Sequence, residues 1–375
     1  MTLDDSDLAD LTALRHHLHS TPELSGEEAM TARCILDQLH GTHPDHIVEG
    51  LGGHGIACIF TGSTPGPTIV VRCELDALPI EERSDRSYRS VVPGKAHLCG
   101  HDGHMTILTG VARLLGRQRP SRGRAILVFQ PAEETGDGAR RLTSDPRFQA
   151  LSPDMALSLH NFPGLPLGHA VVAPGVMNCA SRGLRIALSG RTAHASQPET
   201  GISPAPAVAD LIGALARLGQ GGPVTDPAFS LVTITHVKIG EAAFGVAPGE
   251  AEIWATLRSQ TDAGMARLVA AAEACAAQAA QDHGLTLRWD TSDVFAHCEN
   301  HPEAVAVISR ALDAEGIPRA RMDLPMRASE DFGVFARYAP SAMCWRGAGE
   351  NAPSRHNPDY DLPDALSPIG ARIFH

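Results

Sequence analysis

The amino-acid sequence predicts an α/β protein built on a mostly parallel sheet with helices on both faces, plus an inserted α+β domain of the ferredoxin-like type. Unbroken apolar segments alternate with helical segments over much of the chain, which is typical of buried parallel strands covered by helices. Between residues 179 and 293 the strand segments instead alternate apolar and polar residues, as in an antiparallel sheet with one exposed face. We therefore expect one domain made of residues 1–178 and 294–375, interrupted by a second domain at 179–293.

Local patterns predict the individual elements. Helical spacing covers residues 7–39 and is broken near Pro22 and Gly26. In the inserted part, the order strand–helix–strand–strand–helix–strand is that of the ferredoxin-like sandwich. The strands of the first domain are expected at 55–60, 67–72, 123–129 and 155–159, and its further helices at 106–116 and 303–315. Those of the inserted domain are expected at 181–189, 231–239, 251–259 and 285–289, with helices at 205–218 and 263–283.

The composition of the 375 residues argues against several functional classes. The chain has 31 basic and 43 acidic residues and a net charge of −12, whereas proteins that bind nucleic acid usually present a basic face. No apolar run approaches the roughly 18 residues that a membrane span needs. The eight cysteines form no CxxC pair, and the acidic N-terminus lacks the pattern of a secretory signal. We expect a soluble protein of the reducing cytoplasm.

The densest group of polar side chains is the segment Cys99–His104, with the sequence CGHDGH, which precedes the helix predicted at 106–116. Cys99 and His101 can reach one site from an irregular loop, and thiolate and imidazole are ligands of zinc-like ions. Asp102 is close enough in sequence to orient a ligating ring. The segment alone is equally consistent with a glycine-rich helix N-terminus that Asp102 caps.

Other polar residues follow the predicted strands at the edge where α/β folds place their sites. Glu133 and Glu134 come after strand 123–129, His160 ends strand 155–159, and Asp76 follows strand 67–72. His356 lies in a proline-rich loop near the C-terminus. Each alone is consistent with a solvated acidic loop or a structural histidine. Together with Cys99–His104 they predict a metal site in which one carboxylate binds metal while its neighbour acts as a base.

Nearly the whole chain resembles the di-metal amidohydrolases of the metallopeptidase superfamily, which include hippurate hydrolase, auxin-conjugate hydrolases and N-acyl-amino-acid aminoacylases. The segments CGHDGH and QPAEE are together the most specific part of this resemblance. The matching segments occur in order at Arg15–His19, Pro22–Leu24, Asp76–Ile80, Cys99–His104, Phe129–Glu134, Leu159–Asn161, Arg191–Ser196, Ser329–Phe332 and His356–Pro358.

The resemblance implies roles for particular residues of a catalytic domain. Glu133 matches the general base, and Asp76 matches the acid that orients the metal site. His194 matches a histidine that reaches the active site of a partner subunit and stabilises the oxyanion. Zinc suits thiolate and imidazole, while manganese, cobalt and nickel also suit carboxylate and imidazole. The implied ligands of two divalent metal ions per subunit are Cys99, His101, Glu134, His160 and His356.

The resemblance also makes the inserted domain a lid that carries the interface of a homodimer, or of a tetramer. Arg258, at the end of a strand in that domain, is implied to bind the substrate carboxylate as a bidentate fork, although it is also consistent with a surface arginine. Many relatives carry Asn-Val-Ile-Pro where this chain has GVAP from Gly245, so substrate recognition near Gly245 is expected to differ.

Three further positions depart from the family pattern. Glu74 stands where many relatives have aspartate, and Ser203 replaces the aspartate of a Gly-x-Asp-Pro segment. Arg346 places a cation in a segment that is usually apolar, ten residues before His356. We hypothesise that Arg346 shapes the pocket for the acyl group or the side chain of the substrate.

The predicted function is hydrolysis of the amide bond of small N-acyl amino acids by metal-activated water. A dipeptidase or carboxypeptidase on the same scaffold is the nearest alternative, because a peptide bond is also an amide. A non-catalytic metal-dependent binding protein is an alternative of another class, and it would not need Glu133. A hydrolase with Cys99 as nucleophile and His101 as base is a third, and it would resist chelators.

Overall fold

The computed structural model describes residues 2–375, which divide into two compact units. The main unit contains the chain up to Met177, together with Glu299–Asp323 and Asp331–His375. The inserted unit contains Asn178–Cys298 and the short segment Leu324–Glu330.

The helices and strands are numbered in chain order. The α-helices are α1 (Asp5–Ser20), α2 (Ala29–His40), α3 (His101–Arg117), α4 (Gly138–Ser144), α5 (Pro146–Gln149), α6 (Ala205–Leu218), α7 (Asp262–Asp282), α8 (Pro302–Ala314) and α9 (Leu366–Phe374), with 3₁₀ helices at Pro198–Thr200 and Asp331–Arg337. The strands are β1 (His46–Leu51), β2 (Gly55–Thr61), β3 (Thr64–Glu74), β4 (Arg122–Gln130), β5 (Met155–Phe162), β6 (Ala170–Val171), β7 (Gly175–Asn178), β8 (Ala180–Ser189), β9 (Ala193–His194), β10 (Ser230–Ile239), β11 (Val246–Ala247), β12 (Glu250–Ser259), β13 (Thr286–Phe295), β14 (Cys298–Asn300) and β15 (Ser341–Gly347).

The main unit is built on a seven-stranded sheet with the order β1-β2-β4-β3-β5-β15-β6. Its four central strands, β4, β3, β5 and β15, are parallel, which confirms the predicted α/β class. The edge strands β1 and β6, and β2 between β1 and β4, run antiparallel to their neighbours. The β1–β2 reversal is tight because Gly52 and Gly53 both have positive φ.

Helices cover both faces of this sheet. On one face, leucines of α1, α2 and α3 pack against β2, β3 and β4, and α8 packs against β5 and β15 in a second apolar cluster. The opposite face carries Phe148, from α5, and two phenylalanines of the second 3₁₀ helix. The rings of Phe148 and Phe335 meet edge to face at 5.8 Å, and those of Phe332 and Phe335 stack at 5.1 Å. Successive strand residues point to opposite faces, so the central strands are buried on both sides.

The inserted unit has a four-stranded sheet with the order β10-β12-β8-β13, in which every neighbouring pair is antiparallel. Helices α6 and α7 pack on one face of this sheet and bury its apolar residues. The chain order β8-α6-β10-β12-α7-β13 confirms the predicted ferredoxin-like topology. Within residues 2–375, no helix combines the length and the apolarity needed to cross a membrane.

Helix α3 begins at His101, five residues earlier than the sequence predicted. The prediction of a loop at His101 and His104 was therefore wrong, since both lie in the first turn of the helix. Gly100 immediately precedes the helix with a φ of 92°, in the left-handed region. A Cβ atom at Gly100 would lie 2.9 Å from side-chain atoms of Asn161, so the close approach of strand β5 also requires glycine there.

Candidate metal centre

The carboxyl edge of the main sheet gathers polar side chains from several elements. Parallel strands β3, β4 and β5 end at this edge, and Asp76, Glu133 and His160 lie at or just after their ends. The N-terminus of α3 brings His101 to the same region. His356 reaches it from a loop, where its backbone nitrogen donates to the carbonyl oxygen of Leu98 at 2.8 Å.

The five predicted metal ligands converge within the main unit. The Cys99 sulfur lies 3.7 Å from His160 Nε2. Glu134 lies between two imidazoles, with one carboxylate oxygen 3.8 Å from His101 Nε2 and the other 3.8 Å from His356 Nε2. The donor atoms of two triplets lie within 4.8 Å of one another, and these triplets are Cys99, His101 and His160, and Cys99, Glu134 and His356.

The donor atoms fit divalent cations. His101 Nε2 and Glu134 Oε1 are buried, and neither has a hydrogen-bond partner within residues 2–375. Such buried polar atoms are costly unless something satisfies them. Burial raises the pKa of the Cys99 thiol to about 11 and the pKa of the Glu134 carboxyl to about 7. A cation would favour the thiolate and carboxylate forms, and the set of thiolate, imidazole and carboxylate suits zinc-like ions.

Asp76 and its backbone fix the orientation of two of these donors. The carbonyl oxygen of Asp76 lies 2.8 Å from His101 Nδ1 and accepts its proton, so the lone pair of His101 Nε2 points towards the donor cluster. The Asp76 carboxylate accepts from the Ser25 hydroxyl at 2.6 Å and from the backbone nitrogen of Glu134 at 2.9 Å. The hydrogen bond to Asp76 fixes the position of the Glu134 backbone.

Asp102 does not contribute to this orientation, and the suggestion that it orients a ligating ring was wrong. Its carboxylate lies 2.9 Å from His19 Nδ1 and accepts from Arg15 at 3.1 Å. Asp102 also makes no capping hydrogen bond to α3, so the alternative of a helix cap is wrong as well. Both partners of Asp102 lie on α1, some 80 residues earlier in the chain. Arg15 and His19 form one side of a buried ionic cluster that includes Asp102.

Glu133 is 4% exposed, and its carboxylate lies 3.8 Å from His101 Nε2. The preceding residue, Ala132, has a φ of 53°, and its backbone nitrogen donates to Glu28 Oε1 at 2.8 Å. A Cβ atom at Gly138 would lie 1.7 Å from the Pro131 carbonyl oxygen, so this turn needs glycine. The strand-to-helix turn after β4 thus places two adjacent carboxylates beside the same imidazole.

A buried ionic network lies next to the donor cluster, and most of its members were not predicted to be functional residues. His104 Nδ1 lies 2.6 Å from Glu74, and His104 Nε2 lies 2.7 Å from Asn161 Oδ1. Glu74 in turn pairs with Arg72, which also pairs with Asp331. The feature of the sequence that could have indicated this network is the pair of charged residues Arg72 and Glu74 at the end of an otherwise apolar strand segment.

In the inserted unit, His194 lies on β9 opposite Val246 of β11 and is exposed. Its Nδ1 lies 3.1 Å from the backbone nitrogen of Ser196 and 2.7 Å from the Ser196 hydroxyl. A backbone N–H can only donate, so Nδ1 accepts and the proton of the neutral ring resides on Nε2. The neighbouring Ala195 donates to the carbonyl oxygen of Gly245 at 3.0 Å, and a side chain at Gly245 would meet no atom within 4 Å.

Arg258 is the penultimate residue of β12 in the same unit. Its guanidinium donates to the carbonyl oxygen of Arg327 at 2.9 Å and to the hydroxyl of Ser329 at 3.0 Å. Burial lowers its pKa, and no carboxylate compensates its charge among the residues that the structure describes. Arg258 is therefore held in place by neutral acceptors.

Arg346 is 2% exposed, which contradicts the hypothesis that it shapes a substrate pocket. Its guanidinium donates to the carbonyl oxygen of Gly168 at 2.7 Å. It lines a narrow interior gap together with His104 and Asn161, next to residues of α3 and α9. Arg346 is an interior residue of the main unit.

Metal-dependent hydrolases have this arrangement. Their thiolate, imidazole or carboxylate donors lie beside a second carboxylate, here at the carboxyl edge of an α/β sheet. Residues 70–375 match the family described as peptidase family M20/M25/M40. This match spans more than half of the chain, so the chain belongs to that family, and the resemblance seen in the sequence is confirmed.

Similar proteins include both enzymes and solved structures. An IAA-amino acid hydrolase, ILR1-like 5 of Arabidopsis thaliana, is 28% identical over 97% of this chain and 85% of its own length. The N-acetyldiaminopimelate deacetylase of Leuconostoc citreum is 29% identical over 92% of this chain and 89% of its own length. A Bacillus subtilis structure described as a dinuclear metal-binding peptidase of the M20 family has a TM-score of 0.82 at 25% identity, and the match covers 99% of this chain and 97% of that one.

Proposed function

We propose that this protein is a metal-dependent amidohydrolase that cleaves the amide bond of N-acyl amino acids. The observation that carries this proposal is the convergence of five metal donors beside Glu133, a buried carboxylate 3.8 Å from His101 Nε2. A binding protein has no use for such a second carboxylate. The names of the relatives, an IAA-amino acid hydrolase and an N-acetyldiaminopimelate deacetylase, support the same substrate class.

Amide hydrolysis needs a reactive water and a stabilised oxyanion. Two divalent cations held by the five donors would lower the pKa of water and polarise the amide carbonyl. Glu133 then takes the proton from the attacking water and delivers it to the leaving amine. His101 is oriented by Asp76 throughout, because its Nδ1–H stays on the Asp76 carbonyl oxygen.

We assign substrate contacts to the inserted unit. Arg258 binds the carboxylate of the amino acid, because its guanidinium has only neutral acceptors. His194 donates through Nε2–H to the oxyanion in the active site of a partner subunit, within a homodimer formed by the inserted units. Gly245, next to His194 through the β9–β11 pair, leaves room for part of the substrate. All eight cysteines are free thiols, which supports a reducing cytoplasmic location.

The function is tested by metal removal and a substrate panel. The protein is treated with a chelator, dialysed and reloaded separately with zinc, manganese, cobalt or nickel, and metal content is measured. Release of free amino acid is then followed from acetyl, benzoyl and aminoacyl derivatives of one amino acid. We expect activity on acetyl or benzoyl substrates that disappears on chelation and returns with metal.

Other results of this experiment would contradict the proposal. Preference for aminoacyl substrates would indicate a dipeptidase. Activity that survives complete metal removal would indicate the cysteine nucleophile, and stoichiometric metal binding without turnover of any substrate would indicate a binding protein.

The role of His194 is tested by mixing two inactive variants, Glu133→Ala and His194→Ala. In a mixed dimer, one site retains its own Glu133 and receives His194 of the partner subunit. With random exchange of subunits in an equal mixture, we expect up to about one quarter of the wild-type activity. No recovery, despite exchange shown by differently tagged subunits, would place His194 in the active site of its own subunit.

A further inference from the structure

Arg355 directly precedes the proposed ligand His356 and is half-buried in the main unit. Aromatic rings surround its guanidinium, whose central carbon lies 5.2 Å from the ring centre of Trp345 and 5.9 Å from that of Phe162. Its Nη1 lies 3.1 and 3.3 Å from the two ring nitrogens of His160. An atom equally close to both nitrogens in the ring plane would collide with the carbon between them, so Nη1 lies over the face of His160.

Among the nitrogen atoms of the guanidinium, only Nη1 approaches a protein partner, whereas Nε and Nη2 make no hydrogen bond among residues 2–375. Cation–π contacts hold the plane of an arginine, whereas its N–H groups point outwards from the edge of that plane. Among residues 2–375, Arg355 makes no ion pair with any carboxylate. A cation that is positioned by three rings and unpaired is available to bind an anion from outside the protein.

The charges around Arg355 favour such an anion, on the premise that the proposed function holds. Two divalent cations would balance the four negative charges of Asp76, Cys99, Glu133 and Glu134. The charge of Arg355, stacked on the proposed ligand His160, is then left without compensation. Like charges repel, so an anion bound beside Arg355 would lower the energy of this arrangement.

We propose that Arg355 is a specificity-determining residue that binds a carboxylate of the substrate beside the metal centre. Guanidinium matches carboxylate as a bidentate fork, which a point charge does not. The carboxylate has two sources in an N-acyl amino acid: the α-carboxylate of the amino acid, which Arg355 would then bind instead of Arg258, or a carboxylate at the end of a dicarboxylic acyl group. Both present the same chemistry to Arg355, and matched substrates distinguish them.

The test compares two substrates with counterparts in which one carboxylate is replaced by an amide, and the members of each pair are called charged and neutral with respect to that group alone. N-Acetyl-methionine is paired with N-acetyl-methioninamide, which lacks the α-carboxylate charge. N-Succinyl-methionine is paired with N-succinamoyl-methionine, which lacks the acyl charge. We expect Arg355→Gln to lower kcat/KM about 10- to 100-fold for the charged member of one pair, relative to its neutral member. The pair that shows this loss identifies the source of the carboxylate. Arg355→Lys should restore part of the lost kcat/KM for the charged member.

Two controls separate this role from a structural one. Arg310→Gln removes an equally charged side chain from an exposed position of α8, and it should leave both ratios unchanged. Metal content should equal that of the wild type in every variant. The proposal would be overturned if the ratio of kcat/KM between the charged and the neutral member were the same in the wild type and in Arg355→Gln for both pairs.

A binding measurement keeps this test separate from the test of the proposed function. The same four compounds are titrated calorimetrically into metal-loaded Glu133→Gln protein with and without Arg355→Gln. Weaker binding of a charged compound in the double variant supports the role of Arg355 whether or not the wild type turns these compounds over. No dependence of binding on Arg355, including no binding at all, overturns it, whereas lack of turnover by the wild type contradicts only the proposed function.

Discussion

Replacement of Glu133 by glutamine is expected to lower kcat by about 10²- to 10⁴-fold, the contribution typical of a general acid–base group. Glutamine keeps the size of the side chain but cannot take a proton from water. The five metal donors are unchanged, so the variant should still bind two divalent ions. Steady-state kinetics and metal analysis on the same sample measure both properties.

Two matched variants make the result specific to Glu133. Glu134→Gln alters a donor that lies between His101 and His356, and it should lose bound metal as well as activity. Glu350→Gln, at an exposed position, should stay within about twofold of the wild type. Wild-type turnover in a fully loaded Glu133→Gln protein would refute the assignment of Glu133 as base.

Three of the four central strands, β3, β4 and β5, and the donor cluster could be predicted for the same physical reason, whereas β15 was missed. A strand that is buried on both faces must be apolar throughout, so β3, β4 and β5 stand out in the sequence. The polar residues that end them then lie at one edge of the sheet. His160 and Glu134 approach Cys99 and His356 because parallel strands deliver their carboxyl ends together.

Features that depend on a distant partner could not be predicted. Edge strands β1 and β6 are short or partly polar, and only their neighbours define them. The start of α3 was missed because its first turn is polar, and its burial depends on contacts from elsewhere in the chain. Asp102 appeared to face a ligand, yet it pairs with Arg15, whose position is visible only in three dimensions.

Among the features that depend on a distant partner, the ionic network around Arg72 is expected to contribute most to stability. Arg72 and Asp331 are 259 residues apart, and both side chains are completely buried. Arg72 also pairs with Glu74 and donates to Gln130 Oε1 at 2.9 Å. Asp331 accepts in addition from Gln130 Nε2 at 2.7 Å and from the backbone nitrogen of Ala139 at 2.8 Å. One guanidinium therefore compensates two carboxylates that have no access to water.

Arg72→Met is accordingly expected to destabilise the main unit by about 3–5 kcal/mol, because it leaves Glu74 and Asp331 charged and buried without their cation. The expected decrease in the midpoint of thermal unfolding, measured calorimetrically, is roughly 5–15 °C. Because Glu74 also holds His104 beside Asn161, bound metal should fall together with stability. Arg72→Lys keeps the charge but not the bidentate geometry of the guanidinium, so its stability should lie between those of the wild type and Arg72→Met.

The matched comparison is Arg33→Met, which removes an arginine from an exposed pair with Asp37 on α2. The two side chains of that pair are 73% and 66% exposed and lie 3.5 Å apart. Water solvates both charges there, so we expect a change within about 0.5 kcal/mol. Neutralising both carboxylates in Arg72→Met, through Glu74→Gln and Asp331→Asn, should recover part of the lost stability, because the cost lies in unpaired charge rather than in lost packing. If Arg72→Met unfolded at the same temperature as Arg33→Met, burial of these charges would not be what makes the network essential to the fold.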